Sequence, residues 1–110
     1  MSSQRWTQSK TCVFNIGYHL IWCPKYRRRV LVGDVESRLK ELLYEKAEEI
    51  GVSIARLKVM PDHVHLFVKT KPVNALHYVV QQFKGYTSHF LRLEFPHLLK
   101  MPSLWTRSYA

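Results

Sequence analysis

The sequence predicts an α+β domain, a four-stranded antiparallel sheet with two helices on one face. Three observations lead there. Apolar and polar residues alternate over residues 13–23 and around the histidines of residues 60–68, the two-residue period of half-buried strands. Apolar residues recur at three- and four-residue spacing over residues 34–50 and 74–93, the period of amphipathic helices. The elements fall in the order strand, helix, strand, strand, helix, strand. This βαββαβ order is that of the ferredoxin-like fold, with the first and third strands side by side at the centre.

At 110 residues the chain makes one domain, 1–110, long enough to bury a modest core. Seventeen Lys and Arg stand against eight Asp and Glu, a net charge of +9, so a polyanion is the expected partner and nucleic acid the first choice. A membrane is not expected, because the sequence shows neither a run of about 18 apolar residues nor a charged-then-apolar leader. A cytoplasmic location follows as an expectation. The two cysteines, Cys12 and Cys23, form no Cys-x-x-Cys pair and are expected as free, packed thiols.

Residues Met1 to Lys10 are polar and unpatterned and read as a flexible arm. In the first strand Phe14, Ile16, Tyr18, Leu20 and Trp22 face one way, and Asn15, Gly17 and His19 the other. Pro24 stops it. Asp34 is placed to cap the first helix, whose apolar positions are Val35, Leu39, Leu42, Leu43, Ala47 and Ile50, and Gly51 sits where a C-terminal glycine belongs. The outer face of that helix carries Glu36, Glu41, Glu45, Glu48 and Glu49, so the polyanion should meet another face. In the second strand, residues 52–59, Ser53, Ala55, Leu57 and Val59 alternate with Ile54, Arg56 and Lys58. It turns through Met60-Pro61-Asp62 into the third as a hairpin. The second helix buries Leu76, Val79, Val80, Phe83, Thr87, Phe90 and Leu91, Pro96 ends it, and residues 103–110 alternate as a fourth strand.

The third strand carries the chemistry. In Met60-Pro61-Asp62-His63-Val64-His65-Leu66-Phe67-Val68, His63 and His65 project to one side while Val64, Leu66 and Val68 project to the core. Their α-carbons lie about 6.6 Å apart along a strand, so both imidazoles can reach one metal ion at about 2.0–2.1 Å. A His-x-His pair is ordinarily a set of half-buried hydrogen-bonding residues. Here the shared face also carries Phe67 and Lys69, and the Pro61-Asp62 turn holds a carboxylate beside the pair. His19, on the neighbouring central strand, is expected near them as a DNA contact or a structural residue.

Two further clusters point to nucleic acid. Lys25-Tyr26-Arg27-Arg28-Arg29 would ordinarily be a solvated loop, but a tyrosine among four cations suits phosphate contacts with a base or sugar stacked alongside. The outer side of the second helix presents Lys84, Gly85, Ser88 and Arg92. Glycine inside a helix costs roughly 1 kcal/mol relative to alanine, which suggests close approach of a phosphate backbone there.

Three blocks in order carry a resemblance: residues 18–27 (YHLIWCPKYR), residues 60–67 (MPDHVHLF) and residues 104–109 (LWTRSY). Together they resemble the small TnpA-type single-tyrosine HUH transposases of the smallest bacterial and archaeal insertion sequences. The resemblance implies a homodimeric enzyme that recognises DNA hairpins and cuts and rejoins single-stranded DNA. It implies that His63 and His65 ligate a divalent metal, magnesium or manganese. Imidazoles alone would favour zinc or a later transition metal; phosphate and water oxygens completing the shell reconcile the two.

In that family the nucleophilic tyrosine lies on a further helix, with a Gln or Asn one turn later. The sequence ends at Ala110, before such a helix, so the domain is expected to be incomplete at its C-terminus, with no catalytic tyrosine, and to bind DNA without cleaving it. Tyr109 belongs to the strand block, and Tyr78 with Gln82 only imitates the family spacing within the second helix. The competing reading is a non-enzymatic single-stranded nucleic-acid module of RNA-recognition-like architecture, using the open sheet as a platform.

Overall fold

The computed structural model describes residues 16–109. The expected N-terminal arm, residues 13–15 of the expected first strand, and Cys12 lie outside the described residues. Cys23 is a free, half-buried thiol. The chain forms β1 (Ile16–Trp22), a short 3-10 turn (Lys25–Arg27), α1 (Gly33–Ile50), β2 (Ser53–Met60), β3 (His63–Thr70), α2 (Leu76–Glu94) and a second 3-10 turn (Pro96–Lys100).

The sheet is antiparallel with order β1-β3-β2, so the histidine strand is central. Leu20 pairs with Leu66 and Trp22 with Val64 on one flank; Leu57 pairs with Leu66 and Val59 with Val64 on the other. Val64, Leu66 and Val68 are completely buried. Against this face pack Val35, Leu39, Leu42, Leu43 and Ala47 of α1 and Val79, Val80, Phe83 and Leu91 of α2. Both helices therefore occupy one face, as the periodicity predicts, and the other face is open.

Two details of α1 and β2 differ from the sequence reading. Asp34 is not the cap of α1: the helix starts at Gly33, Val32 holds the cap position without a side-chain bond, and Asp34 joins Glu36 in the first turn. Negative charge there still meets the positive end of the helix dipole. Gly51 closes the helix in the left-handed region, φ 73°, as expected. In β2 the register slips between Ile54 and Arg56, so Ala55 is an extra residue and Ile54 joins Leu57 and Val59 on the core side.

The larger correction concerns the fourth strand, which does not form. The backbone of residues 103–109 meets the β1 chain only beyond the strand's end, through one isolated bridge between Pro24 and Trp105. Lys25 N donates to Leu104 O at 2.8 Å and Thr106 N to Cys23 O at 2.9 Å. Pro24 has no N–H with which to extend a ladder. The segment is instead held by side chains of α2. The Lys84 ammonium donates to the carbonyls of Thr106 and Ser108, and Arg92 donates to Met101 O at 2.8 Å. The Trp105 indole enters the core edge-on to Trp22, ring centroids 5.9 Å apart, and donates to the buried Thr87 hydroxyl at 3.0 Å.

Arg38 ties the helices together outside the core, donating to both carboxylate oxygens of Glu94 at 2.9 and 3.2 Å and to Glu41 at 2.9 Å. These bonds, Glu94 first, hold its guanidinium pKa above the ordinary value. Among the described residues, no helix is long and apolar enough to cross a membrane.

Replacing Thr87 by Val keeps the shape but leaves the Trp105 N–H buried without an acceptor. The expected cost is about 1–3 kcal/mol of stability, read as a lower urea midpoint with an unchanged slope; an unaltered midpoint would show that the C-terminal segment is not anchored there.

Candidate functional site

The open face is built by the alternate residues of the three strands. Cross-strand rows run Ile21–His65–Lys58 and His19–Phe67–Arg56, with Met60 opposite His63. Because Val64, Leu66 and Val68 are committed to the core, His63, His65 and Phe67 stand on this side, all half-buried. His19 and His65 have ring centroids 5.7 Å apart, and His19 stacks on Phe67 at 4.3 Å. His19 thus lies near the pair, as expected.

Asp62 orients the first histidine. Its Oδ1 lies 2.9 Å from His63 Nδ1, and its Oδ2 accepts from the Arg27 guanidinium at 3.1 Å. An ionised carboxylate only accepts, so Nδ1 carries a proton; in the neutral imidazole the lone pair is then on Nε2, the arrangement that metal-ligating histidines take from an outer carboxylate. The His63 hydrogen bond, with Arg27 adding to it, holds the Asp62 carboxyl below the usual carboxylate range against a smaller opposing effect of desolvation.

The residues thus fit a divalent ion as two nitrogen donors with a fixed tautomer on one of them. Among the described residues no group of three His, Cys, Asp or Glu could hold a metal, so further donors would have to come from phosphate or water.

The basic loop adjoins this end of the sheet. Leu31 N donates to Pro61 O at 3.1 Å, which joins the far end of the loop to the β2–β3 turn, and Arg27 reaches Asp62. Tyr26 and Arg27 are both in the left-handed region, φ 61° and 52°, a conformation costly for residues with a side chain. Tyr26 is 67% exposed. The Lys25 ammonium lies 5.6 Å from the Tyr26 ring centroid, and Arg28 and Arg29 are exposed.

The residues of α2 singled out in the sequence lie in the other layer. Lys84 and Arg92 spend their donors on the carbonyls of the C-terminal segment, and burial pushes the Lys84 pKa down. Gly85 has nothing within 4 Å of where a β-carbon would sit, so no part of the described chain requires a glycine there. Ser88 lines a groove of about 830 Å3 between α2 and residues 103–109, together with Lys25, His77, Lys84, Arg107 and Tyr109. Tyr78 is also on α2, 46% exposed. Neither tyrosine is on a strand of the histidine face.

Sequence reasoning missed the Arg27 contact and the seat of Phe67. The second had a signal: a glycine within a strand marks close approach. A β-carbon on Gly17 would lie 2.8 Å from Phe67 Cζ.

An α+β layer with paired histidines on an open cationic sheet is the frame in which the comparisons with known proteins fall. The family model for IS200-like transposases (Y1_Tnp) matches residues 12–110. The chain is 39% identical over 101 residues to the ISDra2 transposase TnpA of Deinococcus radiodurans, covering 89% of this chain and 72% of that one. It is 26% identical over 99 residues to the transposase of insertion sequence element IS200 from Salmonella typhimurium, covering 87% of this chain and 65% of that one. A crystal structure from Deinococcus radiodurans R1, of a protein described as a transposase, superposes with a TM-score of 0.86 at 37% identity over 96% of this chain and 83% of that one. A REP-associated tyrosine transposase bound to a REP hairpin shares the fold at 11% identity, with a TM-score of 0.64 over 96% of this chain and 60% of that one. The chain belongs to the IS200-like transposase family.

At pH 8, long-range 1H–15N spectra should find His63 protonated on Nδ1, and Asp62→Ala should remove that preference. Because the folded Asp62 pKa is lowered, the stability difference between wild type and variant should be fully present above the ordinary aspartate pKa and vanish as pH falls through the lowered one. An identical tautomer in Asp62→Ala contradicts the orienting role.

Proposed function

We propose that this chain is a transposase domain that binds DNA hairpins and single-stranded DNA on the open sheet face, with a magnesium or manganese ion held by His63 and His65. The observation that carries the reading is the His63–His65 pair, with His63 oriented by Asp62, in a chain of the IS200-like family. A bound divalent ion would supply Lewis-acid polarisation of a phosphodiester.

The chain's own residues bind and orient. His63 and His65 present nitrogen donors from one strand face, and Asp62 sets the proton on His63. Lys58, opposite His65, and the loop residues Lys25, Tyr26, Arg27, Arg28 and Arg29 supply positive charge and an aromatic surface beside the pair. Lys84 and Arg92 spend donors on the carbonyls of the C-terminal segment, and Lys84 lines the α2 groove with Ser88, so any DNA contact by these residues is on the helix layer and away from the histidine face.

In the complete family enzyme, the reading is cleavage and rejoining of a single strand: a tyrosine oxygen attacks phosphorus, the 3′ or 5′ oxygen of the neighbouring nucleotide leaves, and the phosphotyrosyl link conserves the bond for the reverse transfer. Tyr78 lies on α2 and Tyr109 lines the groove beside it, so neither stands on the histidine face or is assigned as that nucleophile, and what is proposed for the described residues is DNA binding. Homodimer formation and action in the cytoplasm, where the DNA is, belong to the same proposal.

Isothermal titration with Mn2+ should find one site per chain that His63→Ala and His65→Ala abolish and Asp62→Ala weakens roughly 10–100-fold. A fluorescent DNA hairpin with a single-stranded flank should bind more tightly with Mn2+ than with EDTA, without a covalent adduct. Binding that ignores both Mn2+ and His63→Ala would instead favour a non-enzymatic single-strand module. A phosphotyrosyl adduct on Tyr78 or Tyr109 would refute the assignment of binding alone.

A further inference from the structure

We infer that His19 and Phe67 form a stacking ledge for one unpaired nucleobase of the DNA strand on the open face, immediately beside the histidine pair. The inference rests on the DNA-binding reading and specifies where on the sheet a base is held.

An aromatic row runs along this face from a proposed metal donor: His65 to His19 at 5.7 Å, then His19 to Phe67 at 4.3 Å with ring planes 23° apart. Phe67 is on the open side of the central strand, opposite His19 and Arg56 and away from the core formed by Leu66 and Val68. Its ring is let down onto β1 by a missing side chain, since a β-carbon on Gly17 would stand 2.8 Å from Cζ and 3.0 Å from Cε1. The result is a low two-ring stack lying against the sheet, with His19 exposed to solvent.

The surrounding charge selects the kind of planar ring that would extend the stack. Arg56 and Lys58 of β2 and Lys69 of β3 are exposed beside it and form no salt bridge among the described residues. The open-face positions of the three strands contain no Asp or Glu. An uncharged aromatic ring joined to an anionic backbone is a nucleotide, and single-strand sites combine these two features. One step of two residues along β3, about 6.6 Å, separates Phe67 from His65. A nucleotide whose phosphate meets the histidines, or its immediate neighbour, is therefore within reach of the ledge.

The test uses the whole chain with Mn2+ and a 12-nucleotide oligothymidylate carrying one 5-iododeoxyuridine, photo-crosslinked and mapped by mass spectrometry, together with affinities by anisotropy. Crosslinks on Phe67 or His19 are expected. Phe67→Leu should lose roughly tenfold in affinity, Gly17→Ala should lose affinity by lifting the ring, and neither should change Mn2+ binding. The Phe67→Leu loss should disappear against an oligonucleotide of abasic sites. If wild type binds but crosslinks only through Tyr26 or α2, and Phe67→Leu binds like wild type, the ledge is overturned while the DNA reading stands. If wild type does not bind the oligonucleotide at all, the DNA reading itself fails and takes the ledge with it.

Discussion

The two-residue period of β3 is the constraint on which the rest of the molecule depends. Val64, Leu66 and Val68 are completely buried and paired on both flanks, with Trp22, Leu20 and Tyr18 on one side and Val59, Leu57 and Ile54 on the other. A slip of one residue would drive His63, His65 and Phe67 into the core and expose the aliphatic set. The packing energy of the sheet therefore holds the histidines on the open face, and the site needs no separate device to keep them there. What remains to be set is ring orientation. Asp62 does this for His63 from the hairpin turn, and the His19–Phe67 stack borders His65.

Charge is divided between the two layers. On α1 the glutamates are largely matched within the helix layer, Glu36 by Lys40, Glu41 and Glu45 by Arg38, and Glu49 by Lys46. On α2 the conspicuous cations Lys84 and Arg92 are consumed as anchors for residues 101–108. Among the described residues, Arg56, Lys58 and Lys69 on the sheet face and Arg28 and Arg29 on the loop after β1 carry positive charge without a salt bridge on either side of the histidines, as do Lys71, Lys100 and Arg107 elsewhere.

Most of this was legible in the sequence because it follows from periodicity. The core faces of β1, β3, α1 and α2, the position of Gly51, and the common face of His63 and His65 need only the spacing of apolar residues. The misreadings of residues 103–110, Lys84 and Arg92 share a cause: backbone and side chains compete for the same hydrogen-bonding groups, and spacing does not reveal the winner. Residues 103–110 alternate like a strand, but Lys84 takes the carbonyls of Thr106 and Ser108, and Pro24 has no N–H to offer. The same contacts explain why Lys84 and Arg92 look like surface cations in the sequence and are part-buried in the fold. The bulge at Ala55, which returns Ile54 to the core, also lies beyond a strict alternation. Gly17 is the instructive case, since it was visible as a glycine in a strand while the ring that explains it lies fifty residues away.

The central proposal is that a divalent ion would sit on the open face, at His63 and His65, in preference to the other described residues. Paramagnetic broadening by substoichiometric Mn2+ tests it directly, because the acidic outer face of α1 is a competing site for a hard cation. The imidazole resonances of His63 and His65 should vanish first, followed by those of His19 and Lys58. Broadening centred on Glu36, Glu41 or Glu45, with the two imidazoles still sharp, would contradict the account.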